Sequence, residues 1–137
     1  DSGFGFIVNA TFVDAGVAYD VDTDGAQFAL PGLSDSANFI GYYENESVGV
    51  RLAYNWRDTF FAGNGQSNVG GDHPTFTDEY AQWDLNASYW YNDNLQLFAD
   101  VINLTDETNY VYGRRSDQPL FAVQLGTRYN VGVRYKF

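Results

Sequence analysis

Polar and apolar residues alternate one by one through most of this chain, the period of a pleated strand with two unlike faces and not of a helix. In "SVGVRLAYNWR", Val48, Val50, Leu52, Tyr54 and Trp56 share one face, while Gly49, Arg51, Ala53, Asn55 and Arg57 share the other. In "YAQWDLNASYWYN", Ala81, Trp83, Leu85, Ala87, Tyr89 and Tyr91 oppose Gln82, Asp84, Asn86, Ser88, Trp90 and Asn92. The closing "RYNVGVRYKF" sets Tyr129, Val131, Val133, Tyr135 and Phe137 against Asn130, Gly132, Arg134 and Lys136.

Three more segments alternate with less contrast: Phe4 to Val13, Ala37 to Glu44, and Leu95 to Leu104 running on toward Tyr112. Ile7, Phe98 and Ile102 fall on their otherwise polar faces. The expectation is an all-β chain of six antiparallel strands, each about the 9 to 11 residues that cross a bilayer at a tilt, with Ala37 to Glu44 on the short side.

The connections alternate in length. Asp14 to Ser36, Asp58 to Glu79 and the stretch around "RRSDQPLFAVQLG" are long, whereas "ENES" and "NDN" are tight polar turns. Long loops at one end and short turns at the other form the pattern of a transmembrane β-barrel, with turns in the periplasm and loops outside. Strand six then descends, and Phe137 lies at the periplasmic rim. Tyr54, Trp56, Trp83, Tyr89, Tyr91, Tyr129 and Tyr135 fall near strand ends, where aromatic girdles meet the water interface. The same alternation also fits a soluble β-sandwich that uses aromatics in its core, for instance a carbohydrate-binding module.

Composition narrows the classes. Eighteen acidic residues against seven basic ones give a formal charge of −11, which repels phosphate backbones, so nucleic acid is excluded as a partner. With no cysteine there is no disulfide framework and no thiolate metal site. No run approaches the roughly 18 to 20 apolar residues that a membrane-spanning helix needs. The first residues, "DSGFGF", lack a basic and an apolar signal region, so a signal peptide is expected to be gone or the chain to start internally.

Six strands do not close a membrane barrel, because the smallest have about eight and an open edge in hydrocarbon leaves backbone groups unpaired. The chain is then expected to be a piece of a larger barrel or to pair with strands from another chain. Here "LPGLSDSANFIGYYENESVGVRLAYNWRD" resembles the late barrel of TonB-dependent outer-membrane receptors: a Pro-Gly turn, a strand ending in Tyr-Glu, a tight turn, and a strand ending in Asn-x-Arg. "LFADVINLTDETNYVYG" is similar to that family's penultimate strand through Asn103, Leu104, Asp106 and Glu107, with Thr105 where many relatives have Phe. The resemblance covers essentially the whole chain.

The resemblance implies that residues 1–137 are the C-terminal part of a transmembrane barrel, about the last six strands of a barrel of about 22. Plug domain and TonB box would lie outside this sequence. It implies energised import of a scarce ligand, such as a siderophore, cobalamin or an oligosaccharide, in the bacterial outer membrane. The implied partners are outer-membrane lipid and lipopolysaccharide, the remaining strands and plug, the TonB complex through the N-terminal part, and the barrel assembly machinery. Asn130, Gly132, Tyr135 and Phe137 match the family's C-terminal assembly signal position by position. A passive porin segment, which would lack a plug, is a further alternative.

Other candidates are local. "DVDTDG" places Asp20, Asp22 and Asp24 in the first half of a calcium-loop pattern, in which alternate carboxylates converge on a hard cation. The bidentate acid of a full EF-hand would fall on Pro31, so that motif is ruled out, and the plain alternative is a solvated acidic loop. Arg114 and Arg115, just past the top of strand five, suit lipopolysaccharide phosphates or an anionic ligand. Phe60, Phe61, Phe76 and Phe121 either stack on a ligand ring or anchor the loops to each other. His73 stands alone in "GGDHPTF", with no second ligand and no triad frame. Asp84 and Asp100 fall on the polar face and are read as lumen lining beside Arg51, Arg57 and Arg134, not as a hydrolytic pair. The Asn-x-Ser/Thr triplets at Asn9, Asn45, Asn86 and Asn103 are chance matches in a bacterial compartment. No enzymatic role and no resident cofactor are expected.

Overall fold

The structure, a computed structural model, describes residues 3–14, 16–25, 27–65 and 73–137. These residues form ten strands: β1 (Phe4–Thr11), β2 (Ser36–Glu44), β3 (Val48–Arg57), β4 (Phe60–Asn64), β5 (Pro74–Thr77), β6 (Tyr80–Asn92), β7 (Leu95–Ile102), β8 (Thr108–Tyr112), β9 (Pro119–Gln124) and β10 (Arg128–Tyr135). Every pairing is antiparallel. The fold is all-β.

The six expected strands make one sheet in the order β1-β2-β3-β6-β7-β10, an up-and-down meander with no crossing connection. The other four make a second sheet, β4-β5-β8-β9, in which the segments that follow or precede β3, β6, β7 and β10 pair again in the same order. Stretches expected to be loop are therefore partly strand: β4 and β5 lie within Asp58 to Glu79, and β9 is the "PLFAVQ" of the last connection. Each is only four to six residues long, too short for a period of two to stand out from surrounding loop. The fifth segment does not run straight to Tyr112; it breaks after Ile102 and resumes at Thr108.

The two tight turns are built alike. The Asn45 side-chain oxygen accepts the N–H groups of Ser47 at 2.9 Å and Val48 at 2.8 Å. At the other turn, the Asn92 side-chain oxygen accepts those of Asn94 at 3.0 Å and Leu95 at 2.9 Å. An asparagine that folds its own backbone this way closes a hairpin without a long loop.

Substantial strand contacts run only between hydrogen-bonded neighbours, so neither sheet lies face to face on the other. Among apolar side chains of the described residues only Tyr19, Ile40 and Pro74 reach burial. A compact monomer of 15.4 kDa exposes about 7,200 Å² by the usual area scaling. This chain exposes 9640 Å². The excess is that of a single open layer, with β1 and β10 as its two free edges.

Candidate functional site

The register sorts the six-stranded sheet into two chemically distinct faces. On one, the rung Phe6–Gly41–Leu52–Leu85–Val101–Tyr129 crosses all six strands, followed by Phe4–Tyr43–Val50–Ala87–Ala99–Val131. Beyond the first rung, toward the long connections, lies Val8–Phe39–Tyr54–Trp83, with the Tyr54 and Trp83 rings 4.7 Å apart. Toward the tight turns come Val48–Tyr89–Leu97–Val133 and then Tyr91 and Tyr135. On the inner strands β3, β6 and β7 small and aliphatic side chains hold the middle of this face, and aromatic rings sit toward both ends and on the outer strands. The face lies bare: Phe4, Phe6, Tyr129 and Val131 each keep about three quarters of their surface exposed.

The opposite face is a ladder of amides and carboxylates. Its central rung reads Gly5–Tyr42–Arg51–Asn86–Asp100–Asn130. Both Asp100 oxygens are engaged, one by the Asn86 amide and the other by the Asn130 amide at 3.0 Å. One rung toward the long connections, Asp84 accepts from the Gln82 amide at 2.6 Å and from the Asn103 N–H at 3.0 Å. Farther that way the Asn38 amide donates to Asn55, and at the turn end Arg134 donates to Gln96 at 3.0 Å. A groove of about 370 Å³ runs along this ladder between Asn38, Arg51, Asn55, Asp84, Asp100 and Asn130. Asp100 accepts an amide on each oxygen, whereas both donors to Asp84 meet its Oδ1. They line the face, as read from the alternation.

The C-terminal strand is held on its inner side. Asn94 in the tight turn accepts the Lys136 N–H at 2.8 Å through its backbone and donates its side-chain amide to the Lys136 carbonyl at 2.7 Å. Gly132 sits opposite Phe98, whose ring lies where a side chain would go, because a Cβ at Gly132 would come within 2.3 Å of the ring. Phe98, out of place on a polar face, is thus explained by the glycine it covers. Tyr135 and Phe137 meet edge to face at 5.1 Å, with Phe137 entirely in the open. Of the four residues expected to form an assembly signal, Asn130 and Gly132 face the polar side and Tyr135 lies on the apolar side.

At the far end the connections fold onto the four-stranded sheet. Phe61, Phe76 and Tyr112 form a row across β4, β5 and β8, with ring separations of 5.7 and 5.6 Å. Tyr19, from the connection between β1 and β2, stacks on Phe61 at 4.9 Å and meets Phe76 edge-on at 5.9 Å. Phe61 and Phe76 therefore anchor a loop, one of the two roles open to them in the sequence. Phe60 lies under the Arg57 guanidinium at 4.4 Å, and Phe121 is exposed on β9. Tyr19 had no periodic pattern to reveal it; its signal is a lone aromatic among Gly, Ala and Asp.

The aspartate loop is organised differently from a calcium site. Asp20 accepts the Asp22 N–H at 3.0 Å and the Thr23 hydroxyl at 2.7 Å, and these bonds hold its carboxyl below the ordinary carboxylate range. Asp24 pairs with Arg114 at 3.1 Å instead of turning toward Asp20 and Asp22. Among the described residues no group of three or more His, Cys, Asp or Glu side chains is placed to hold a metal ion. Arg114 also donates to the carbonyls of Val21 and Thr23, each at 3.1 Å, so the cation expected to meet an external anion is engaged within the chain. Arg115 is exposed, its backbone N–H donating to Gln118 at 3.3 Å. The His73 carbonyl accepts the Gly65 N–H at 2.7 Å; the glycine-containing stretch just before His73, residues 66–72, lies outside the described residues, as do the first two residues of "DSGFGF".

Comparison with protein-family models, with curated proteins and with solved structures finds no match for this chain.

Proposed function

We propose that this chain is wall, outer loops and closing strand of an outer-membrane β-barrel of the TonB-dependent receptor kind, about the last six strands of a barrel of about 22. The observation that carries the reading is the pairing of an uncovered apolar face, aromatic toward both ends, with an amide–carboxylate ladder on the other side of the same sheet. In a barrel wall the first face meets lipid and the second meets the lumen, and both free edges are taken up by further strands. A β-sandwich needs a second sheet over the apolar face. Among the described residues none covers it.

In this reading the tight turns at Asn45 and Asn92 are periplasmic, and the four-stranded sheet stands outside the membrane with the long connections. The partners are lipid and lipopolysaccharide, the other strands and plug of the receptor, the TonB complex through the N-terminal part, and the barrel assembly machinery, which reads Asn130, Gly132, Tyr135 and Phe137. The chain supplies framework for import of a scarce ligand and performs no chemistry of its own.

The three tryptophans test the membrane placement. Trp56 and Trp83 lie on the apolar face, and Trp90 pairs with Gln96 on the polar one. Forms of the complete barrel that keep one of these tryptophans and no other, each refolded into vesicles of lipid with brominated acyl chains, should show strong quenching of Trp83 and Trp56 and little of Trp90. Equal quenching of all three, or a chain that stays folded and monomeric in plain buffer, would overturn the reading.

A further inference from the structure

The connection between β1 and β2 has two mechanically separate parts. Its base is fastened: Val13 donates to the Asp35 side chain at 2.9 Å, Asp58 to the Asp35 carbonyl at 3.0 Å, and Gly32 to the Phe61 carbonyl at 2.8 Å. Tyr19, stacked on Phe61, marks the end of that anchored part.

Beyond it the chain ties itself into a knot. The Gln27 side chain accepts the Asp20 N–H at 2.9 Å and donates to the carbonyls of Asp20 at 2.8 Å and Thr23 at 2.9 Å. With the Asp20 bonds to Asp22 and Thr23, these bonds tie the tip together within itself.

Among the described residues, Arg114, more than ninety positions away, ties the knot to the β8–β9 turn. Its guanidinium bridges two knot carbonyls and one carboxylate, all at 3.1 Å. Arg114 is itself presented by a braced turn: Gly113 donates to the Gln118 carbonyl, and Gln118 to the Arg115 carbonyl, both at 2.9 Å. Its side chain is 23% exposed, whereas that of Asp24 is 98% exposed. A solvated carboxylate adds little to such a clasp, and the two carbonyl bonds from a charged donor carry it.

We infer that the tip of the β1–β2 connection is a latched strap: Arg114 holds its knot down on the β8–β9 turn, and release of Arg114 lets the knot swing away from that turn while the base stays fastened. The inference stands on contacts outside the six-stranded sheet and holds whether or not that sheet spans a membrane. It assigns Arg114 a positioning role that Arg115, its neighbour in sequence, does not share.

Because the chain has no cysteine, two introduced ones label it uniquely. Spin labels on D22C and S116C, on opposite sides of the clasp, report the strap position by pulsed distance measurement. The parent should give one short, narrow distance. R114Q should add a long component, with the open-to-closed ratio rising about tenfold or more, as expected for loss of two charge-assisted bonds. D24N and R115Q should leave the distribution nearly as in the parent. R114K, a point charge without the planar fork, should fall between. A distribution unchanged in R114Q would overturn the latch; so would one unchanged in R114K, which decides the matter if R114Q fails to fold.

Discussion

The Asn103 side chain exchanges two hydrogen bonds with the main chain of Glu107: its oxygen accepts the Glu107 N–H at 2.8 Å and its amide donates to the Glu107 carbonyl at 3.0 Å. A side chain thus imitates one rung of a strand pair and carries the backbone across the break between β7 and β8. Asn103 is 3% exposed and sits at φ 57°, a left-handed conformation that asparagine adopts more readily than other side-chain-bearing residues. Its N–H donates to Asp84 and its carbonyl accepts the Thr127 hydroxyl at 2.8 Å, so three strands converge on it. The Asn-Leu-x-Asp-Glu run, which reads in sequence as the end of a strand, is the corner where one sheet passes into the other.

Replacing Asn103 should therefore cost more than a loop residue would. Asn103→Ala removes two side-chain bonds and keeps the strained φ, an expected loss of about 2 to 4 kcal/mol. Asn103→Gly relieves the conformation and should be milder by about 1 kcal/mol. Asn103→Asp turns an oxygen toward the Glu107 carbonyl and should resemble alanine. Urea unfolding in detergent micelles would measure all three, and an alanine variant as stable as the parent would show that the corner does not need the side chain.

Gly132 and Phe98 form a matched pair. Gly132→Ala drives a methyl into the ring and should destabilise by about 1 to 3 kcal/mol. Phe98→Leu in the same chain should recover part of that loss, since the shorter side chain vacates the space. A double-mutant cycle reads the coupling directly. Additive effects of the two substitutions would mean that the contact does not set the place of β10.

The terminal aromatic touches only Tyr135 and is otherwise exposed, so its removal should barely affect the stability of the folded sheet. If Phe137 belongs to an assembly signal, deleting it from the barrel as made in the cell should lower the folded level in the outer membrane several-fold while leaving the unfolding midpoint of the surviving fraction in place. Immunoblotting of unheated and heated membrane samples separates the two quantities. Unchanged assembly would count against the signal.

The knot at Asp20 carries a pH dependence of known sign. Thr23 and the Asp22 N–H hold the Asp20 carboxyl below its ordinary 3.8, so the folded knot binds that proton more weakly than the unfolded chain. Its contribution is fully present above the unfolded pKa and is lost as pH falls through the lower, folded one. The Asp22 amide resonance, followed from pH 6 downward, should shift with a midpoint below 3.8. Asp20→Asn should abolish the transition, and a titration that begins above pH 5 would contradict the assignment.

Much of the sheet was legible before any coordinates. Alternation depends only on neighbours along the chain, so the two faces, the six long strands and the tight turns at Asn45 and Asn92 follow from local chemistry. Asp84 and Asp100 were placed on the polar face by parity alone, and the register agrees. The short strands β4, β5 and β9 escaped notice because they hold together by pairing with segments distant in sequence.

The sequence by itself determined an antiparallel meander with one apolar and one polar face, because the pleat sends successive side chains to opposite sides. Only the tertiary structure decided which charges meet: that Arg114 clasps the loop around Asp24, that Phe98 covers Gly132, and that Asn103 turns the corner. Those contacts join positions separated by up to ninety-three residues, and no period in the chain encodes a distance of that kind.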